Sequence, residues 1–210
     1  LLQYVQDNHL NIDIPEFTNI GYWFKPRVIL LLSLIKQEIS KISDQEIRDF
    51  IFVAFSETIR FVSNRRNGEF KMFRMPADKV DRFEPNVIKD FTTILNRNVE
   101  KMMAFEKACA DAGTESSVSI FKNNAATLED VPNSSVDLVI TSPPYGDSRT
   151  TVAYGEYSRL SLQWLNFSEL SDKEIMGIDK TLMGGSKYKN GFEYTLPSAT
   201  LKASLERIQD

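Results

Sequence analysis

The sequence predicts an α/β protein in which a mainly helical segment precedes part of a catalytic sheet. Three observations carry that prediction. Up to about residue 110 the apolar residues recur at helical spacing. After the break "DAGTESS", Asp111 to Ser117, the runs "SVSIF" (Ser117 to Phe121) and "VDLVI" (Val136 to Ile140) have the character of short buried parallel strands, separated by enough chain for a short helix and a loop. Finally, "VDLVI" runs through Thr141 straight into Ser142-Pro143-Pro144-Tyr145. The two prolines end the strand there, because each lacks a backbone donor and has its φ fixed. Strand, crossover, strand is the α/β unit, and ligands collect at the carboxyl ends of its strands. The expected division is residues 1–110, helical, and residues 111–210, catalytic.

The elements follow in order. Residues up to about Lys25 form an arm or loop, with Pro15 against a continuous helix. "PRVILLLSLIKQEISKI" places Val28, Ile29, Leu32, Ile35, Ile39 and Ile42 on one stripe, with Pro26 in the first turn, where its missing N–H costs nothing. "SDQE", Ser43 to Glu46, has capping-box spacing and opens a second helix that carries Phe50, Val53, Ala54 and Ile59 toward a core. Ser63 to Pro76 is a polar, basic loop or short strand. Pro85 then introduces a third helix with Val87, Phe91, Leu95, Val99 and Met102, extending to Ala110. Beyond the strands, "YGEYSRLSLQWL" has Tyr157, Leu160 and Trp164 at helical spacing, "MGGSKYKNG" is a glycine- and lysine-rich loop, and "ATLKASLERIQD" begins another helix.

Composition narrows the function classes. With 210 residues, 42% hydrophobic and 26% charged, the chain can bury a substantial core as one domain or two small ones. Its longest apolar run, Val28 to Ile35, is too short to span a bilayer, so a membrane role is not expected. One cysteine, Cys109, and one histidine, His9, exclude an internal disulfide and a Cys/His metal cluster; a reducing, cytoplasmic location is expected. The net charge of -4 hides a local imbalance: between Arg60 and Arg82 seven basic residues face Glu69, Asp78 and Asp81. Arg65, Arg66, Asn67, Lys71 and Arg74 can contact nucleic-acid phosphates or base edges, or simply form a solvated loop.

The loop at Ser142 has a specific chemical use. Pro143 and Pro144 hold the backbone extended, leaving the Pro143 carbonyl outside any ladder and the Ser142 hydroxyl beside it, while Tyr145 adds a flat ring. Two acceptors and a stacking face suit a planar group that bears an NH2, such as a nucleobase with an exocyclic amine.

The stretch "SVSIFKNNAATLEDVPNSSVDLVITSPPYGD" resembles the third and fourth motifs of the S-adenosylmethionine-dependent DNA amino-methyltransferases, and the likeness extends over "YWFKPRVI", "RDFIFVAFSETIRFVSNRRNGEFKMFRMP" and "TVAYGEYSRLSLQWL". The resemblance implies a Rossmann-like methyltransferase sheet, S-adenosylmethionine as cofactor, double-stranded DNA as partner, no metal, and a place in a bacterial restriction-modification system. It implies that Ser142, Pro143, Pro144 and Tyr145 carry catalysis on a flipped base. The serine form of the motif favours cytosine N4; adenine N6, an RNA base, a protein glutamine, or a partner subunit without its own reaction are the alternatives. Ser148 and Arg149 would contact the flipped nucleotide or its phosphate, or make a turn. Where the family's preceding strand ends in Gly-Asp, this chain has Asn123 and Asn124, the expected cofactor contacts. The family's Phe-x-Gly-x-Gly loop is absent between Leu1 and Asp210, so an incomplete chain that does not bind cofactor alone is expected, the missing half lying before Leu1 or beyond Asp210, with the former favoured. The oligomeric state is not predicted.

Overall fold

The computed structural model describes residues 12–69, 71–113, 117–121, 128–141, 154–166 and 170–181, together with 203 and 207. Among them stand seven helices: α1 (Ile20–Trp23), α2 (Pro26–Ser40), α3 (Gln45–Val62), α4 (Ala77–Arg82), α5 (Val87–Ala112), α6 (Tyr154–Leu165) and α7 (Asp172–Thr181). Helix α2 starts as its sequence dictates, with Pro26 in the first turn, and buries Val28, Leu30, Leu32, Ile35 and Ile39. Helix α3 is capped by Asp44, whose Oδ1 accepts from the Ile47 amide at 3.0 Å. The cap is therefore one residue later than the Ser43 expected from the box spacing. Of the expected core face, Ala54 and Ile59 are buried, joined by Phe52, Phe55, Thr58 and Val62, while Phe50 is half-buried and Val53 is 60% exposed.

Helices α2 and α3 pack on each other, α5 lies across both, and α6 packs on α3 and α7. The core cluster joins Phe24, Val28, Leu32, Ile35 and Ile39 to Phe52, Phe55, Ile59, Val62 and Val87. Leu160 and Trp164 of α6 complete it, so residues from beyond Asp111 finish a core begun by α2 and α3. Trp164 is fully buried, with its ring edge-on to Phe24 at 5.5 Å and to Phe17 and Phe55 at 6.3 Å, the geometry that aromatic quadrupoles favour. Lys36 Nζ donates to the Trp164 carbonyl at 2.7 Å and Ser161 Oγ to the Ser56 carbonyl at 2.8 Å, fixing α6 in register.

Helix α5 runs 26 residues without an internal proline or glycine and is capped at both ends. Asn86 Oδ1 accepts from the Lys89 amide at 3.1 Å, and Gly113 takes φ +62° at the C-cap, a conformation costly for any residue with a Cβ. Its first half docks through Val87 and Ile94; farther along, Val99, Met102, Met103 and Phe105 face solvent. Helix α7 opens with a reciprocal capping box: the Glu174 amide donates to Ser171 Oγ at 3.3 Å, and the Ser171 amide to Glu174 Oε2 at 2.8 Å.

The expected Rossmann-like sheet is overturned. Among the described residues there is no strand, and the β structure is limited to an isolated antiparallel bridge between Arg65 and Arg74. Residues 117–121 and 136–140 lie without ladder partners. Their apolar side chains are uncovered, with Ile120 92%, Leu138 73% and Ile140 87% exposed. The reason is physical: β-branched content suits a chain to a pleated, half-buried surface, but the ladder and the cover must come from neighbours, which these two runs do not supply to each other here. Among the described residues no helix is long and apolar enough to cross a membrane.

Candidate functional site

The basic segment leaves α3 at Ser63 and returns to the surface of the helices at Pro76. It folds back on itself: the Arg66 amide donates to the Phe73 carbonyl and the Met75 amide to the Asn64 carbonyl, both at 2.8 Å. Gly68, at φ +100°, sits at the turn, a backbone region closed to most side chains.

Both flanks are pinned from below. The Asn64 amide donates to the Trp23 carbonyl at 2.7 Å, and Asn64 Nδ2 to the Tyr22 carbonyl at 3.2 Å. Arg74 Nε donates to the same Tyr22 carbonyl at 3.0 Å, with its guanidinium 4.5 Å from the Tyr22 ring centre. On the other side, the Met72 amide donates to Glu156 Oε2 of α6 at 2.9 Å.

The predicted DNA-contacting residues divide by exposure. Arg65 is only 2% exposed. Its Nη2 donates to the Glu69 carbonyl, and its guanidinium lies 5.5 Å from the Tyr157 ring centre, alongside Arg60 at 3.7 Å from the same centre. Burial and then the neighbouring Arg60 charge pull Arg65 below the ordinary arginine value. Arg66, Asn67 and Lys71 are exposed, and Arg74 is half-buried. Arg66 meets Glu69 at 3.6 Å in a solvent-facing pair, and Asn67 Nδ2 donates to the Phe61 carbonyl at 3.3 Å. The arrangement presents two cations and an amide to solvent over a tied-down base, a form suited to a phosphate backbone.

Ser142, Pro143, Pro144 and Tyr145 lie outside the described residues, as do Asn123, Asn124, Ser148 and Arg149. The described chain brackets the motif with Thr141 on one side and α6, from Tyr154, on the other. Among the described residues no group of three or more His, Cys, Asp or Glu side chains is placed to hold a metal ion. Cys109 is half-buried in α5.

Sequence reasoning missed the supports of this site, namely Tyr22, Arg60, Glu156 and Tyr157. The spacing of Tyr157 marks it only as a residue of a helix; the structure uses its ring as a platform for two arginines. Its position three residues before Leu160 marked it as part of a helix, and nothing local marked the partner.

Over 189 residues the chain is 40% identical to the Type II methyltransferase M.MvaI of Kocuria varians. The chain is similar to a Type II methyltransferase. That match takes in 89% of this chain and 42% of the methyltransferase, so the chain spans about two fifths of the length of this relative. No family model matches the chain, and no solved structure matches it.

Proposed function

We propose that the chain is part of a site-specific DNA methyltransferase that transfers a methyl group from S-adenosylmethionine to an exocyclic base amine, cytosine N4 in the first instance. The observation that carries the reading is the 40% identity to a Type II methyltransferase over 89% of the chain. In a chain of 210 residues a match of that extent necessarily spans positions 142–145.

The chemistry follows from the motif. A base flipped from the duplex stacks on Tyr145, and its amine donates its two hydrogens to Ser142 Oγ and the Pro143 carbonyl. Those bonds draw the nitrogen from planar toward tetrahedral, leaving a lone pair directed away from the ring. Pro143 and Pro144 contribute rigidity, so that the acceptors are placed before the base arrives. When bound, S-adenosylmethionine would supply an electrophilic methyl: the amine lone pair forms the new N–C bond as the sulfonium S–C bond breaks, S-adenosylhomocysteine is the leaving group, and the amine's surplus proton passes to solvent. Asn124 is the proposed contact to the adenine of the cofactor, since an amide offers the donor and acceptor that an adenine edge requires; Asn123 stands beside it. Arg66, Asn67 and Lys71, with Ser148 and Arg149 after the motif, are the proposed DNA contacts, while Arg65 and Arg74 hold the segment from beneath.

The test is nucleoside mass spectrometry on DNA from cells expressing the full-length protein, with a Tyr145→Ala variant in parallel. N4-methylcytosine that disappears in the variant is the expected result. N6-methyladenine would change the base and keep the mechanism, and DNA without modified nucleosides would overturn the reading.

A further inference from the structure

We propose that Glu156 and Tyr157, on the helix that follows the motif, are positioning residues that hold the basic segment in its DNA-contacting geometry. This rests on the methyltransferase reading and extends it from contact residues to the groups that aim them.

Four observations converge. The Met72 amide bonds not within its own segment but to Glu156 Oε2, 84 residues away in sequence, at 2.9 Å. One residue along α6, the Tyr157 ring carries the Arg60 guanidinium at 3.7 Å and the Arg65 guanidinium at 5.5 Å. Two like charges brought together in a desolvated place call for a counter-charge, yet among the described residues neither arginine has a carboxylate within ion-pair distance, and the Nε atoms of both are buried without a hydrogen-bond partner. The electron-rich face of the ring is the group that meets both, with the Glu69 carbonyl and the more distant Glu69 charge adding to it at Arg65, and a cation–π contact is strongest where water is excluded. Finally, the exposed Arg66, Asn67 and Lys71 stand in sequence between the buried Arg65 and the tethered Met72.

The result is a clamp of two adjacent residues. Arg65 and Met72 are fastened to the first turns of α6, and the exposed Arg66, Asn67 and Lys71 between them, together with Glu69, are thereby held beside that helix. The same helix continues the chain that contains Tyr145, and the step from residue 145 to residue 154 reaches at most about 32 Å even when fully extended. Loosening the clamp therefore frees the phosphate contacts from the motif without touching the motif itself.

The experiment uses the full-length protein and a cognate duplex, with Tyr157→Leu and Tyr157→Phe as one pair and Glu156→Ala and Glu156→Gln as the other. Phenylalanine keeps the ring face, and glutamine keeps an acceptor for the Met72 amide. Leucine and alanine are expected to raise KM for DNA, and the Kd from fluorescence anisotropy, by about tenfold, the scale of one lost cation–π contact or charged hydrogen bond. In both, kcat stays within about twofold and Tm within a few degrees, while phenylalanine and glutamine restore binding. Unchanged binding in the leucine and alanine variants, a fall in kcat without a rise in KM, or a loss of Tm that phenylalanine does not rescue would each overturn the proposal. A wild-type protein that binds duplex but leaves no modified nucleoside refutes methyl transfer, and the binding series still decides the clamp. A wild type that binds no duplex overturns both.

Discussion

The backbone amide of Thr18 donates to Asp172 Oδ2 at 2.5 Å, tying the segment before α1 to the start of α7 across 154 residues of sequence. Gln163 Nε2 reaches the other oxygen of the same carboxylate at 2.6 Å, so one side chain gathers three parts of the chain.

That carboxylate makes acid stability predictable. Burial opposes its charge, but the hydrogen bonds from Thr18 and Gln163 prevail and hold the Asp172 carboxyl below its ordinary value. A folded-state pKa below the unfolded one gives stability that is complete above the unfolded value, about 4, and is lost as pH falls through the folded value. Asp172→Asn is therefore expected to melt at a lower temperature than wild type at pH 7. The gap between the two should close as the pH is taken below about 4. A gap independent of pH across that range would count against the carboxylate's role.

The core makes a larger prediction. Trp164→Ala removes a ring that touches Phe17, Phe24 and Phe55, and large-to-small changes of this kind cost roughly 3–5 kcal/mol. Urea unfolding should show that loss in α2 and α3 as well as in α6, because the three share the cluster.

The helix cap distinguishes two neighbours. Asp44→Ala is expected to cost about 1 kcal/mol by removing the acceptor of the Ile47 amide, whereas Ser43→Ala should fall within about 0.5 kcal/mol of wild type. Equilibrium denaturation of the two variants side by side is the measurement, and equal losses would mean that the cap is shared.

The salt dependence of DNA binding tests the exposed cations. Arg66→Ala and Lys71→Ala should each lower the slope of log K against log salt by about 0.9 per phosphate contact removed. Their losses should be similar on different duplex sequences, since phosphate contacts carry no base information. The ion pair of Arg66 with Glu69 is exposed and worth little, so it does not compete with the phosphate.

How much of this was legible in the sequence depends on how local the signal is. The stripe of α2, the proline at its start and the course of α5 were legible because a helix writes its own period. The box spacing at Ser43 to Glu46 pointed to a helix start but not to the residue that caps it. The same spacing at Ser171 to Glu174, where both bonds are made, is the local signal that marks the start of α7. The two apolar runs were expected to pair because their residues suit a sheet, yet a ladder depends on neighbours that a single segment does not specify. Arg65 and Arg66 show the limit within the site itself. They are adjacent and chemically identical, but one is buried against a ring more than ninety positions away and the other faces solvent.

The position of Trp164 has a bearing on how the protein is made. Phe24 and Phe55 leave the ribosome well before the indole that closes over them, and elongation proceeds at about 5–20 residues per second, so the intervening hundred or so residues take roughly 5–20 seconds. For that interval the nascent helices lack the indole that closes their shared core, and the apolar face it covers stays open. Completion of the core is thereby timed by translation, after the Ser-Pro-Pro-Tyr stretch has itself been synthesised.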